Sequence, residues 1–338
     1  MKAMVIGAGR MGRRHIAILQ ELGLDVVAVS DESPEALDLA ARECQLPVDR
    51  LFRDVAAALA ITSPECVVVA TTAPAHGRYV VLAAETGVRF ILCEKPMATS
   101  LAECDRMIES CRRCGAMLAV NHQMRFMEQY ARPKALLESD VFGQFTSVSV
   151  LGGNFGLAMN GTHYFEMFRF LSGEFPSEVT AWFSPEKVAN PRGSQFEDRA
   201  GALRVTTRSG KRLYLDCGAD QGHGMTVIYC GRNGQIVVNE LTGNTTLFVR
   251  EARHRNLPTT RYGMGAVSET MEIEPVSATE PSKAVLTALL SGNGYPTGEH
   301  GRLAVAVLVA AHVSDENAHR TVHLEDTALP RERVFPWA

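Results

Sequence analysis

The chain has 338 residues, 46% hydrophobic and 21% charged, which is enough apolar material for a large core and enough length for two domains. Its formal net charge of −4 gives no basic footprint for nucleic acid, and no apolar window approaches the ~20 residues of a membrane helix, so neither is expected as a partner. The opening MKAMVIGAGRMGRRH is too broken by glycine for a secretory signal, and eight cysteines do not make a disulfide framework at this length, so a reducing, cytoplasmic location is expected.

Up to about residue 120, short apolar runs alternate with helical periods. MKAMVI is a strand running into glycines, MGRRHIAILQEL has apolar residues at helical spacing, and LDVVAVSD is a second strand. SPEALDLAARECQ opens on Ser33 as N-cap with Pro34 at the first helical position. CVVVATTAP, VRFILCEKP and AMLAVNHQ are further buried strands, while HGRYVVLAAETG stops at Gly87 and LAECDRMIESCRRCG at Gly115. The alternation predicts an α/β domain over residues 1–120, a doubly wound parallel sheet with helices on both faces.

From about residue 142 the period changes. FTSVSVLGGN, SEVTAWFSP, ALRVTTRSGKRLYLDCG and MTVIYCGRNGQIVVNE read as strands, with turns at RSGK and at Arg232-Asn233-Gly234-Gln235, where Asn-Gly tolerates positive φ. One helix falls near 162–171 and another at LAVAVLVAAHVSDENAH. Residues 121–338 are therefore expected to form an α+β domain on a large, open, mixed and mainly antiparallel sheet.

VIGAGRMG sets Gly7, Gly9 and Gly12 in G-x-G-x-x-G spacing between a strand and a helix, the arrangement of a Rossmann phosphate turn. Gly7 permits the sharp turn, Gly9 admits a pyrophosphate, and Gly12 lets helix and strand pack closely; the helix start, with Arg10 and Met11, offers N–H groups and positive dipole. Asp31 ends the second strand, where an acid binds ribose hydroxyls and repels a 2′-phosphate; Glu32 adds to that repulsion, so NAD is expected before NADP. The other reading is that Asp31 or Ser30 caps the next helix. Thr71, Pro74 and His76 follow a parallel strand and are assigned to the cofactor, with His76 reading equally as a helix cap. Cys111-Arg-Arg-Cys114 has metal-ligand spacing, but no second pair or histidine cluster follows, so no metal is expected.

In order, the pieces GAGRMGRRH, Asp31, TTAPAH, CEKPM, NHQMRF, GTHYFEMFRFLSG and SDENAHRTVHL resemble the Gfo/Idh/MocA family of NAD(P)-dependent oxidoreductases over nearly the whole chain, with CEKP the most specific element. The resemblance implies a Rossmann domain followed by an α+β domain whose open sheet packs against another subunit, hence a homodimer or homotetramer. It also implies that Lys95 touches both substrate and nicotinamide, that Pro96 follows a cis peptide, and that Glu94 and Pro96 fix the backbone beneath, Glu94 being counted with the cofactor contacts. Lys95 is then the general acid/base, with His163 assisting or orienting. A free lysine titrates near ~10.4; burial and a neighbouring cation bring such a group down.

There is one departure. Many members carry an aspartate four residues before that histidine; Met159 stands here, and Asn160 beside it can orient a hydroxyl but cannot move a proton. Asn121, His122 and Arg125 fall where the family lines its substrate cleft, Arg125 being open between a ligand and a core acid. Gln221-Gly222-His223 and the basic Arg253-His254-Arg255 with Arg261 read as loops, solvated or within reach of substrate. The tail RERVFPWA is expected to pack on its own chain or on a partner subunit. The function expected is an NAD-dependent dehydrogenase or reductase acting on a secondary hydroxyl or ketone of a sugar, cyclitol or nucleotide-sugar. The alternatives are an NAD-retaining glycosidase or lyase using transient oxidation, and a silent NAD-binding regulator.

Overall fold

The computed structural model describes residues 1–338 except 187–189, 223, 259–264 and 275–276, so His223 and Arg261 lie outside the described residues. β1 (Lys2–Ile6) buries every side chain after Lys2, as a parallel strand covered on both faces must. After it come α1 (Arg10–Glu21), β2 (Asp25–Ser30), α2 (Pro34–Cys44), β3 (Leu51–Phe52), α3 (Val55–Thr62) and β4 (Cys66–Val69). Then follow α4 (Ala73–Glu85), β5 (Phe90–Cys93), α5 (Leu101–Cys114) and β6 (Met117–Val120). The strands pair in parallel in the order β3-β2-β1-β4-β5-β6, so the winding reverses between β1 and β4. Helix ends obey the sequence: Ser33 Oγ accepts from the Ala36 N–H at 3.1 Å, and Gly115 closes α5 at φ 70°.

The chain continues with α6 (Glu128–Leu137), β7 (Phe145–Gly153), α7 (Thr162–Ser172), β8 (Pro176–Phe183), β9 (Gly201–Thr207) and β10 (Arg212–Gly218), whose strands belong to a second sheet. β11 (Met225–Gly231), β12 (Gly234–Asn239), β13 (Asn244–Arg250), β14 (Ala266–Glu272), α8 (Thr279–Ser291), α9 (Gly298–Glu316) and β15 (Val322–His323) complete the chain. Among the described residues this sheet runs β14-β13-β12-β11-β7-β10-β9-β8-β15, and only β7 with β10 is parallel. Register puts Val179, Val205, Leu213, Val148, Tyr229 and Ile236 in one row, all buried. The next row on the other face holds Thr180, Arg204, Tyr214, Ser149, Ile228 and Val237, of which Tyr214 is 41% exposed. One face is core and the other is open, as alternation in an antiparallel sheet allows.

The expected hairpin joins β11 to β12, but not for the expected reason: neither Asn233 nor Gly234 has positive φ. The turn is instead pinned from outside, by Asn233 N–H on the Phe142 carbonyl (2.8 Å) and Arg232 N–H on Gln144 (3.1 Å). The left-handed residues are Gly143 and Gln144 of that neighbouring loop. Gly234 is required for closeness, since a Cβ there would lie 2.4 Å from the Phe248 carbonyl oxygen.

The chain divides into two compact units, one of residues 1–123, 277–305 and 330–338, the other of 124–276 and 306–329. The expected split into two consecutive segments at 120/121 is thus corrected: later chain returns to the first unit. It returns because α8 buries Val285, Leu286 and Leu289 completely, and Lys283 reaches Glu21 on α1 at 2.9 Å. The tail packs on its own chain in the same unit: Phe335 stacks on Trp337 at 4.6 Å, and Trp337 Nε1 donates to the Ala98 carbonyl at 2.9 Å. Among the described residues no helix is long and apolar enough to cross a membrane.

Candidate active site

Within the first unit the glycine turn follows β1. Gly7 has φ +99°, and a Cβ on Gly12 would meet the Gly7 carbonyl oxygen at 1.8 Å, so both must be glycine; a Cβ on Gly9 would point into open space. α1 begins here with no side-chain cap, so the first-turn N–H groups of Arg10, Met11 and Gly12 point outward without intrahelical acceptors. Asp31 sits at the end of β2 and spans two loops, its Oδ2 accepting from Ala8 N–H (2.7 Å) and its Oδ1 from Ser33 N–H (2.9 Å). The cap of α2 is Ser33 rather than Asp31 or Ser30. A cavity of about 230 Å³ opens here, lined by Gly7, Asp31, Glu32, Arg53, Thr71 and Thr72 among others. Arg53, from the loop after β3, was not foreseen, because nothing near Asp31 in the sequence announces it. A larger groove of about 1100 Å³ over α4 and α5 is lined by charges of both signs and contains none of the predicted site residues.

Thr71 and Pro74 lie at the start of α4, and His76 is 1% exposed. His76 caps nothing at its own helix end: Nδ1 lies 2.9 Å from the Pro96 carbonyl oxygen and Nε2 3.1 Å from that of Thr71. Burial pushes its imidazole below the usual range, against the pull of these carbonyls.

The strand end after β5 is built around a buried acid. Glu94 is 5% exposed; its Oε1 accepts from His15 Nε2 (2.7 Å) and Asn121 Nδ2 (2.8 Å), and its Oε2 from the Lys95 backbone N–H (3.3 Å). Burial alone would raise its pKa, but the His15 hydrogen bond, the Lys95 charge and the Asn121 amide outweigh it and hold it down to about 2. Asn121 gives its other N–H to Ser282 Oγ (3.2 Å) on α8, so at 1% exposure its amide faces the interior. His122 is equally buried. Lys95 itself is half-buried, and the Lys95–Pro96 peptide is cis, as the resemblance implied. His15 and Ser282 escaped the sequence reading, since each pairs across a long stretch of chain.

In the second unit His163 is the second residue of α7 and 5% exposed. A single wide turn, Leu157–Gly161, precedes it and carries Met159 and Asn160. Asn160 Nδ2 donates to the Phe155 carbonyl at 2.8 Å. Asp198, from a distant stretch of chain, binds the same turn, accepting from Ala158 N–H at 2.7 Å and Met159 N–H at 2.8 Å. Gly156 makes room for it: a Cβ there would lie 2.1 Å from Asp198 Oδ2. Of the two readings of Arg125, the structure shows the core acid: its guanidinium pairs with Glu166, which is fully buried and also bonds Arg169 at 3.2 Å. In the basic stretch Arg253 pairs with Glu251 at 2.6 Å, inside its own loop.

A phosphate-binding turn at the switch point of a doubly wound sheet, with an acid on the next strand, belongs to the class of dinucleotide-dependent enzymes. The family profile described as an oxidoreductase family with an NAD-binding Rossmann fold, Gfo/Idh/MocA, matches residues 1–122. A D-apiose dehydrogenase of Paraburkholderia graminis is 33% identical over 239 residues, 64% of this chain and 60% of that protein. An inositol 2-dehydrogenase of Streptomyces avermitilis is 30% identical over 245 residues, 64% of this chain and 68% of the relative. The chain belongs to the Gfo/Idh/MocA family of oxidoreductases. In fold it is similar to an oxidoreductase from Agrobacterium radiobacter solved with NAD+, L-tartaric acid and magnesium: TM-score 0.79 at 20% identity, over 96% of this chain and 98% of that one.

Proposed function

We propose that this chain is an NAD-dependent dehydrogenase or reductase that moves a hydride between nicotinamide and a secondary hydroxyl or ketone of a sugar or cyclitol, with Lys95 as acid/base. One observation carries it. Along the carboxyl edge of the parallel sheet, the neighbouring strands β2, β1, β4 and β5 end in Asp31, the Gly7 turn, Thr71 and Glu94-Lys95, in that order. Gly7, Gly9, Arg10, Met11 and Gly12 suit a pyrophosphate, Asp31 a ribose, and Thr71 and Pro74 the path between ribose and Lys95; the open space at Gly9 and the cavity at Asp31 fit such a ligand. When bound, NAD supplies the hydride acceptor.

Lys95 takes the hydroxyl proton in oxidation and returns it in reduction. His163 assists or orients, and His122 and Asn160 are proposed to contact hydroxyls. Asn121 and Glu94 act from below, by fixing the Lys95 peptide. The test is a panel of polyols, cyclitols and nucleotide-sugars with NAD and NADP, read by nicotinamide absorbance. Lys95→Ala is expected to lose at least ~100-fold in turnover while still binding NADH; wild-type turnover in that variant would remove Lys95 from the mechanism.

The open face of the second sheet, with Tyr214, Leu151 and Trp182 at 41%, 40% and 47% exposure, supports pairing with a second copy, giving a homodimer or homotetramer. Light scattering should give a multimer for the wild type and a smaller species for Tyr214→Glu. All eight cysteines are free thiols, which supports a cytoplasmic location.

A further inference from the structure

We propose that His15 and His76 are positioning residues for Lys95: two buried imidazoles, one from α1 and one from α4, hold the residues on either side of it. The inference rests on the assignment of Lys95 as acid/base. His15 is fully buried and donates from Nε2 to Glu94 Oε1 at 2.7 Å, while the other oxygen of Glu94 takes the Lys95 N–H at 3.3 Å. The chain is thereby tied to α1 immediately before the lysine. His76 secures it immediately after: one ring atom faces the Pro96 carbonyl at 2.9 Å and the other the Thr71 carbonyl at 3.1 Å. Neutral, the ring carries one N–H and donates it to one of these two carbonyls at a time, wedged between the loops that follow β4 and β5. Residues 94, 95 and 96 each have a backbone or carboxylate group engaged in this lattice, so the Lys95 stem starts from a fixed peptide and only its own rotamers remain.

Neither histidine is placed to exchange protons with a ligand. His15 is 0% exposed with Nε2 on Glu94, and both His76 nitrogens face main-chain oxygens. Their effect reaches the reaction through Lys95, and misplacement of a reacting group by about 1 Å costs on the order of 100-fold. Arginine or lysine would not serve, because a flexible stem does not fix the distance between two loops.

The two ends of the His76 ring can be separated by substitution. The amide nitrogen of asparagine takes the place of Nδ1 and can donate only to Pro96; that of glutamine takes the place of Nε2 and can donate only to Thr71. In the full-length protein, His76→Asn is expected to exceed His76→Gln in kcat by about 100-fold, with NADH affinity and Tm alike in the two. His15→Gln, which retains the donor to Glu94, is expected to exceed His15→Leu in kcat while KM stays the same. Equal kcat in the His76 pair at equal Tm overturns the proposal, and if His15→Leu fails to fold the His76 pair decides alone. A second readout is the NMR signal of the reductively methylated Lys95 amine, assigned by its loss in Lys95→Arg. It should broaden or split in His76→Gln relative to His76→Asn, and identical spectra count against the clamp. Full turnover in Lys95→Ala would sink the acid/base assignment instead, while a dead Lys95→Ala beside indifferent histidine variants sinks the clamp only.

Discussion

Glu94 and Glu240 are both buried carboxyls, and their surroundings push them in opposite directions. Glu94, held at about 2 by its donors, is charged at neutral pH. Its folded pKa lies below the unfolded value, so its contribution, on the order of 3 kcal/mol, is present above pH ~4.3 and fades as pH falls toward 2. Glu94→Gln should therefore lower Tm at pH 7, with the gap to wild type closing below pH ~4 in thermal scans at stepped pH. Burial raises Glu240, against hydrogen bonds from Tyr164 and Tyr130. Its stabilising form is neutral and is lost as pH rises through the folded pKa, so Glu240→Gln should melt higher than wild type at pH 8 and equally at pH 4. At Asp31, replacement by alanine removes the tie to Ala8 and Ser33 together with the proposed ribose contact. NAD affinity should fall roughly tenfold and discrimination against NADP shrink, by calorimetric titration with both. The turn at Gly7 and Gly12 and the place of Asp31 after β2 were legible because motif and spacing carry them, and the cis peptide after Lys95 because the resemblance implies it. His15 and Ser282 were not, since their partners are 79 and 161 residues away in the chain.

Elements were legible where a period and a punctuating residue coincide, as at Ser33-Pro34 for α2 and Gly115 for α5. α3 was not, because VAAALAIT is apolar almost throughout and shows no face. α8 was not, because Ala278 at its start offers no side-chain cap and Pro281 in its first turn reads as a breaker. The turn before α7 combines both kinds of difficulty: its carboxylate comes from residue 198, and Gly156, at φ +73°, is what admits it. Gly156→Ala should destabilise by about 1–3 kcal/mol in urea unfolding, and it should lower turnover if the turn aims His163. An unchanged midpoint would mean that Asp198 can retreat freely.

At the scale of the molecule, the sequence conveyed two domains but not their interleaving. Composition and period change once along the chain, near residue 142, while the first unit is assembled from three stretches. Trp337 is 2% exposed against Ala98, so Trp337→Ala should destabilise by roughly 3–5 kcal/mol. A chain ending at residue 123 lacks α8 and the tail. It should bind a hydrophobic dye and lack cooperative unfolding, whereas a sharp melt would show that those later stretches are dispensable.

The same interleaving bears on biosynthesis. During translation the N-terminal half ordinarily matures while the remainder is still being made. Here β5 and β6 are covered by Val285, Leu286 and Leu289, and the loop at Ala98 by Trp337, so the glycine turn leaves the ribosome well before its unit is complete. Until residues 277–305 and 330–338 have been made, the nascent chain exposes apolar strands that those stretches later cover.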